Sequence, residues 1–310
     1  MSHENVVVVG VDGSAMSKAA LKWALAQARA RQARLHLVVV YELPSYAPDF
    51  LPSSPELSAA NGGSHLYGSA KEMVEELAQS VEGQGVEVSW SLESGDPTEI
   101  LVELSKKVAL IVVGGRNTKG GRLADRLLRT VSSAVPSNAC CPTVVITAEN
   151  IDEVLPIRKI VVGVDGSEHS KMALQRAIWE ADRWGAKLTA VATVNTAAAA
   201  WIPVESLREG FLTDVADQIT KQIAEVGEGR DIDISVKAVE GNPAQILSDC
   251  SKDIDLLIIG TRGRGGFTGL LLGSTSQNVL ANAKCPTMVV PRRVRPGDDV
   301  GPEPVQVVDD

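Results

Sequence analysis

Aromatic side chains are scarce in this sequence: three phenylalanines, three tyrosines and five tryptophans, 4 % of 310 residues. A core short of large rings has to be assembled from Val, Leu, Ile and Ala. Cysteine is also sparse, with Cys140, Cys141, Cys250 and Cys285 showing no CxxC spacing. The adjacent pair would form a strained bridge, so all four are expected as buried free thiols and a disulfide framework is excluded. A chain of this length buries a substantial core without such staples. The four histidines, His3, His36, His65 and His169, show no metal-ligand spacing, and no protein-only metal site is expected. Apolar runs are short, at residues 6–9, 108–113 and 256–259 for example, far below the roughly 18–20 residues that span a bilayer. The first residues, Met1-Ser-His-Glu-Asn5, lack the basic start and apolar stretch of a signal peptide. A cytoplasmic protein without a membrane partner is predicted. The net charge of −9 weighs against nucleic acid as the main partner.

What the sequence does contain is itself, twice. Val7-Val-Val-Gly-Val-Asp-Gly-Ser14 recurs as Ile160-Val-Val-Gly-Val-Asp-Gly-Ser167, an offset of 153. Gly95-Asp-Pro-Thr-Glu-Ile-Leu101 answers Gly241-Asn-Pro-Ala-Gln-Ile-Leu247, and Ile111-Val-Val-Gly114 answers Leu257-Ile-Ile-Gly260, both at 146. Cys141-Pro-Thr-Val-Val145 answers Cys285-Pro-Thr-Met-Val289 at 144. The matching blocks keep their order, so the chain is a duplicated unit of about 140 residues, the size of a whole domain. The expected division is a first domain over 1–148, a linker over 149–158, a second domain over 159–291 and a disordered tail over 292–310.

Within each unit, β-branched apolar runs alternate with helical periodicity. The first half predicts strands at 6–11, 35–41, 86–92, 110–113 and 143–146, with helices at 18–31, 69–82, 97–107 and 127–138. A Pro/Ser/Gly-rich stretch at 43–68 is read as irregular. The second half repeats the plan, with strands at 160–164, 188–194, 232–238, 256–259 and 287–290. Near-continuous apolar strands separated by helices imply a parallel sheet covered on both faces. The predicted fold is therefore α/β: two tandem doubly wound domains, each a five-stranded parallel sheet. The last strands of the halves are expected at sheet edges, where they invite pairing with each other or with a second chain.

Ligands of open parallel sheets bind at the carboxyl ends of the strands. In the second half the loop after the fourth strand runs from Gly260 through Gly263 to Gly273-Ser-Thr-Ser276, which opens a helix. Glycines allow backbone amides to approach an anion, and the helix dipole favours phosphate there. Arg262 and Arg264 add positive charge. The competing reading is a glycine-rich turn with an ordinary capping serine. No GxxxxGK[ST] occurs, which excludes a P-loop, and no complete GxGxxG follows the first strand.

Gly260-x2-Gly263-x9-Gly273-Ser274 resembles the nucleotide motif G-x2-G-x9-G-[S/T] of the ATP-binding universal stress proteins. The VVGVDGS and CPT-V-V blocks are similar to that family too, and the resemblance spans nearly the whole chain. It implies the adenine nucleotide alpha hydrolase-like fold, ATP bound with a divalent ion (Mg, through the phosphates), slow or no hydrolysis, and a role in stress or dormancy signalling. Carried over, it implies Gly163 and Asp165 at the adenosine end and Thr193 lining the adenine pocket. Ile259, Gly260, Gly263, Gly273, Ser274, Thr275 and Ser276 would hold ribose and phosphates. The first half departs from the pattern, with Asn117 for Gly263, Arg129 for Gly273 and Thr130 for Ser274. Its candidates are Asp12, Val40, Gly114, Asn117, Thr130 and Ser132, and weaker or altered ATP binding is expected there. No Asp, Glu or His lies between Gly260 and Lys284 to serve as a base for hydrolysis. The expected function is a nucleotide-dependent switch acting on a regulatory protein partner. A nucleotide-free scaffold of the same fold and a slow ATP hydrolase are the alternatives. A homodimer or pairing between the two halves is expected.

Overall fold

The computed structural model describes residues 4–41, 59–115, 131–148, 150–194, 205–227, 229–263 and 271–292. The first half comprises β1 (Glu4–Gly10), α1 (Ala15–Arg31), β2 (Arg34–Tyr41), α2 (Ala59–Gln79), β3 (Val88–Ser94), α3 (Pro97–Leu104), β4 (Val108–Gly114), α4 (Val131–Asn138) and β5 (Thr143–Ile146). The second repeats it as β6 (Lys159–Val164), α5 (Glu168–Trp184), β7 (Lys187–Val194), α6 (Glu205–Val226), β8 (Ile234–Glu240), α7 (Pro243–Cys250), β9 (Leu256–Gly260), α8 (Ser274–Asn282) and β10 (Thr287–Val290). The same signals start equivalent helices. Ser14 and Ser167 cap α1 and α5 through Oγ, accepting from Ser17 N and Ser170 N. Asp96 and Asn242 cap α3 and α7, each followed by a first-turn proline. Helix α2 begins at Ala59, inside the stretch read as irregular, because an established helix adds turns at little further cost. Residues 42–58, positions 127–130 of the helix expected before β5, and residues 293–310 of the tail lie outside the described residues.

The strands form one sheet in the order β3-β2-β1-β4-β5-β10-β9-β6-β7-β8. All pairings within a half are parallel, and β5 meets β10 antiparallel, Val144 opposite Met288. The terminal strands are thus not edges of the folded chain. Each ends its own half, and the two consume each other's free hydrogen-bonding groups at the centre of the sheet. Thr143 and Thr287 are fully buried at this seam, and Thr147 Oγ1 donates to the Cys285 carbonyl across it at 2.9 Å. The pairing of halves is realised within one chain.

One face carries a core continuous through both halves, built from α1, α2, α5 and α6 against the sheet. On the other face, α3 with α4 and α7 with α8 cover two separate clusters. The connection between halves is anchored by Ile151 and Ile157, both buried. All four cysteines are free, but only Cys141 and Cys285 are buried, while Cys140 and Cys250 are partly exposed on turns and helix ends. Burial pushes the Cys285 thiol up to about 12, so it stays protonated.

Helices α1 and α5 cross the seam together through one ionic contact. Glu180, fully buried, accepts from Gln27 Nε2 at 2.6 Å, and Gln27 lies 153 residues earlier, the offset of the repeat. The same position of the two copies therefore faces itself across a pseudo-twofold axis. Arg31 of α1 also pairs with Glu180. Arg176 and Arg183 of α5 reach it at 3.0 and 3.2 Å. The Trp184 indole N–H donates to Gln27 Oε1 at 3.1 Å.

Candidate functional site

The carboxyl ends of β6, β7 and β9 open into a cleft of about 520 Å³. Of the second-half residues expected there, Asp165, Thr193, Gly263, Gly273, Ser274, Thr275 and Ser276 line it. Gly163, Ile259, Gly260 and Arg262 lie around and beneath it. A Cβ on Gly163 would fall 2.9 Å from Leu247 Cδ1, and Ile259 belongs to the buried cluster under α7 and α8. Gly260 is the closest approach of strand and helix, where a Cβ would meet the His169 carbonyl oxygen at 2.8 Å. Gly114 holds the same place in the first half, with Met16 backbone carbon at 2.9 Å. Because backbone blocks both positions, Gly260→Ala and Gly114→Ala are each expected to destabilise the protein by about 1–3 kcal/mol through overpacking. Urea unfolding of each variant measures this.

Two constraints shape the end nearest α8. Asp165 Oδ1 accepts from Ser167 N at 3.0 Å and Ser167 Oγ at 2.6 Å, so its carboxylate is held by the capping turn of α5. Its Oδ2 lies 2.3 Å from where a Cβ on Gly263 would stand, so any side chain there displaces this carboxylate. Gly273 caps α8 with no side-chain hydrogen bond to the helix, leaving the first-turn amides open toward the cleft. Its own N–H is fixed by the Thr261 carbonyl at 2.8 Å, and Ser276 Oγ donates to the Gly260 carbonyl at 2.8 Å. The start of α8 is thereby tied back to the end of β9.

Several residues reach this region that sequence reasoning did not single out. His169, on the first turn of α5, has its pKa lowered by burial, then by Arg292 and Arg262, against the opposing pull of Asp165 and Glu168. Its imidazole is neutral at pH 7. The far wall comes from α6, with Phe211, Val215, Gln218, Ile219 and Gln222 lining the cleft. Their recurrence every three or four residues marks one helical face, and the polar glutamines within it are the signal that was available.

The first half has a cleft of about 590 Å³ in the equivalent place, lined by Asp12, Val40, Gly114 and Ser132 among others. Asn117 and Thr130, with Arg129 and the other basic residues of that loop, lie outside the described residues, as does Arg264. Partial burial pushes the Asp12 carboxyl up, but hydrogen bonds from Ser14 and Ser17 outweigh it and leave its pKa lowered. Among the described residues no cluster of three His, Cys, Asp or Glu side chains is placed to hold a metal. No described helix is long and apolar enough to cross a membrane.

This chain, an α/β unit written twice with a cleft at the strand ends of each copy, belongs to the universal stress protein family. The universal stress protein family model matches it twice, at residues 5–147 and 156–291. Two universal stress proteins of Mycobacterium tuberculosis are 32 % and 31 % identical to it, over 91 % of this chain and 96 % and 95 % of theirs. Among solved structures, a universal stress protein from Archaeoglobus fulgidus superposes with a TM-score of 0.69 at 20 % identity, covering 94 % of this chain and 99 % of that one. A functionally unknown protein from Pseudomonas aeruginosa superposes with a TM-score of 0.65 at 19 % identity, covering 96 % and 94 %. The fold is the Rossmann-like adenine nucleotide alpha hydrolase-like fold.

Proposed function

We propose that the second-half cleft binds an adenine nucleotide, ATP with a divalent ion carried on its phosphates, and that the chain works as a nucleotide-dependent switch in a stress or dormancy response. The observation that carries this reading is the start of α8, where a glycine cap leaves helix amides open to a cleft of nucleotide size. Ser274, Thr275 and Ser276 stand beside those amides, and Asp165 and Thr193 share the same lining. The residues fit a triphosphate: the first-turn amides of α8 and the hydroxyls of Ser274, Thr275 and Ser276 supply donors, and the nearby Asp165 carboxylate is held by the Ser167 turn. Mg²⁺ would neutralise phosphate charge there and needs no protein cage of its own.

Asp165 is the one carboxylate among the described lining residues, and the Ser167 turn already occupies one of its oxygens. That favours holding the nucleotide over turning it over, and a regulatory protein partner would read the bound state. The experiment is to denature the purified protein, identify released small molecules, and titrate the emptied protein with ATP and Mg²⁺. The expected result is a co-purifying adenine nucleotide or saturable binding below millimolar ATP. If none co-purifies and none binds at millimolar concentration, the nucleotide-free scaffold is the right reading.

A further inference from the structure

We propose that β3 is the docking edge for a second copy of this chain, the two β3 strands pairing antiparallel about a twofold axis at Ser91. Strands β3 and β8 end the sheet on its two sides, and among the described residues nothing pairs with their outer edges. A free edge exposes a row of backbone donors and acceptors, which proteins guard with lysine, proline or a bulge. The two edges are copies of one strand, yet they are guarded differently. Lys237 stands exposed at the middle of β8, and the same place in β3 holds Ser91. Val236 of β8 is answered in β3 by Trp90, which is 37 % exposed and is the one exposed large apolar residue on a described strand. No lysine or proline occurs in β3. Its serines are held toward β2, with Ser89 Oγ and Ser91 Oγ at 2.8 and 3.1 Å from the two ring nitrogens of His36.

The side-chain pattern of β3 says what covers it. A twofold axis perpendicular to the sheet keeps each face continuous, so residues set opposite each other share a face. Val88 and Leu92 pack partly against the core under α2, and Trp90 between them points to the same face. With the axis at Ser91, Trp90 stands opposite the second copy's Leu92, an apolar pair of the kind that stabilises sheets. Glu93 then stands opposite the second copy's Ser89. Moving the axis to Trp90 would set Glu93 against the second copy's Glu87, and moving it to Leu92 would set Trp90 against Ser94. The strand is thus complementary to itself in one register, which satisfies both charge and apolar contact. Pairing β3 with another chain's β8 would repeat without closing, and Lys237 guards against that fibre. Such a dimer leaves the β5–β10 seam within each chain and both clefts free.

The test is sedimentation velocity of the whole chain over a concentration series, for the wild type, Ser91→Lys, Trp90→Val and Lys237→Glu, with thermal melts confirming folding. Ser91→Lys and Trp90→Val write the residues of β8 into β3. The wild type is expected to show a monomer–dimer equilibrium with its midpoint in the micromolar range. Ser91→Lys should raise the dissociation constant about 30-fold, because two ammonium groups then face each other at the axis. Trp90→Val should raise it about 10-fold, the scale of one truncated aromatic anchor. Lys237→Glu changes the charge on the other edge and should leave the midpoint in place. Hydrogen exchange above and below the midpoint should slow β3 amides in the dimer and leave β8 amides alike. A wild type that stays monomeric at high micromolar concentration overturns the proposal. So does a dimer that survives both β3 variants, exchanges its β3 amides as fast as the monomer, or weakens as much with Lys237→Glu as with Ser91→Lys.

Discussion

Replacing Glu180 with alanine is expected to destabilise the protein by about 3–5 kcal/mol, the largest single effect on stability the structure suggests. The carboxylate is fully buried and gathers three guanidinium groups, from Arg31, Arg176 and Arg183, with the Gln27 amide. Removing it leaves those cations facing one another at the seam between halves, which costs far more than one lost hydrogen bond. Burial raises the Glu180 pKa, but Arg183, Arg176 and the Gln27 hydrogen bond overcome this and hold it below 4.5. Because the folded value is depressed, the contribution is fully present above about pH 4.5 and fades as the pH falls through the folded value. Urea denaturation of Glu180→Ala and Glu180→Gln from pH 7 to pH 3 measures both effects. The wild-type advantage should narrow on the acid side. A loss below 1 kcal/mol at pH 7 would show that the cluster does not hold the halves together.

The largest expected effect on binding comes from Gly273→Arg, which writes the first-half residue Arg129 into the second-half loop. A Cβ at Gly273 would lie 3.4 Å from Arg262 Cα and 3.5 Å from the Thr261 carbonyl oxygen, so alanine fits with ordinary contact. The rest of an arginine side chain has to occupy the mouth of α8, where the amides open. Nucleotide affinity should fall roughly 100-fold, the scale of one strong hydrogen bond to a charged group. Gly273→Ala should stay within a few-fold of wild type and melt at the same temperature. Equilibrium binding of a fluorescent ATP analogue separates the two. Unchanged affinity in the arginine variant would move the phosphates away from α8.

Strand sequence, strand sense and the loops carrying the site were legible because each depends on local pattern and on the repeat. Residues 7–14 and 160–167 announce both a strand and the turn that follows it, and the turns place Asp12 and Asp165 at the carboxyl edges. The partner of a terminal strand is not a local property. Nothing in Thr143–Ile146 says that its neighbour is Thr287–Val290 running the other way, so these strands read as edges. Gln27 and Glu180 were hidden for the same reason, since an amide and a carboxylate on two separate helices look like surface until the seam turns them together. Gln222 was hidden differently. Helix α6 carries enough polar residues to pass for solvated, and only its packing beside β7 shows which of them face a cleft.

The antiparallel seam has one more consequence. Strands within a half all run the same way, so reversing direction between β5 and β10 puts the carboxyl ends of the two halves on opposite margins of the sheet. The clefts of the chain accordingly look away from each other. No single mononucleotide can bridge them, and between them lie the β5–β10 seam and the contact of α1 with α5.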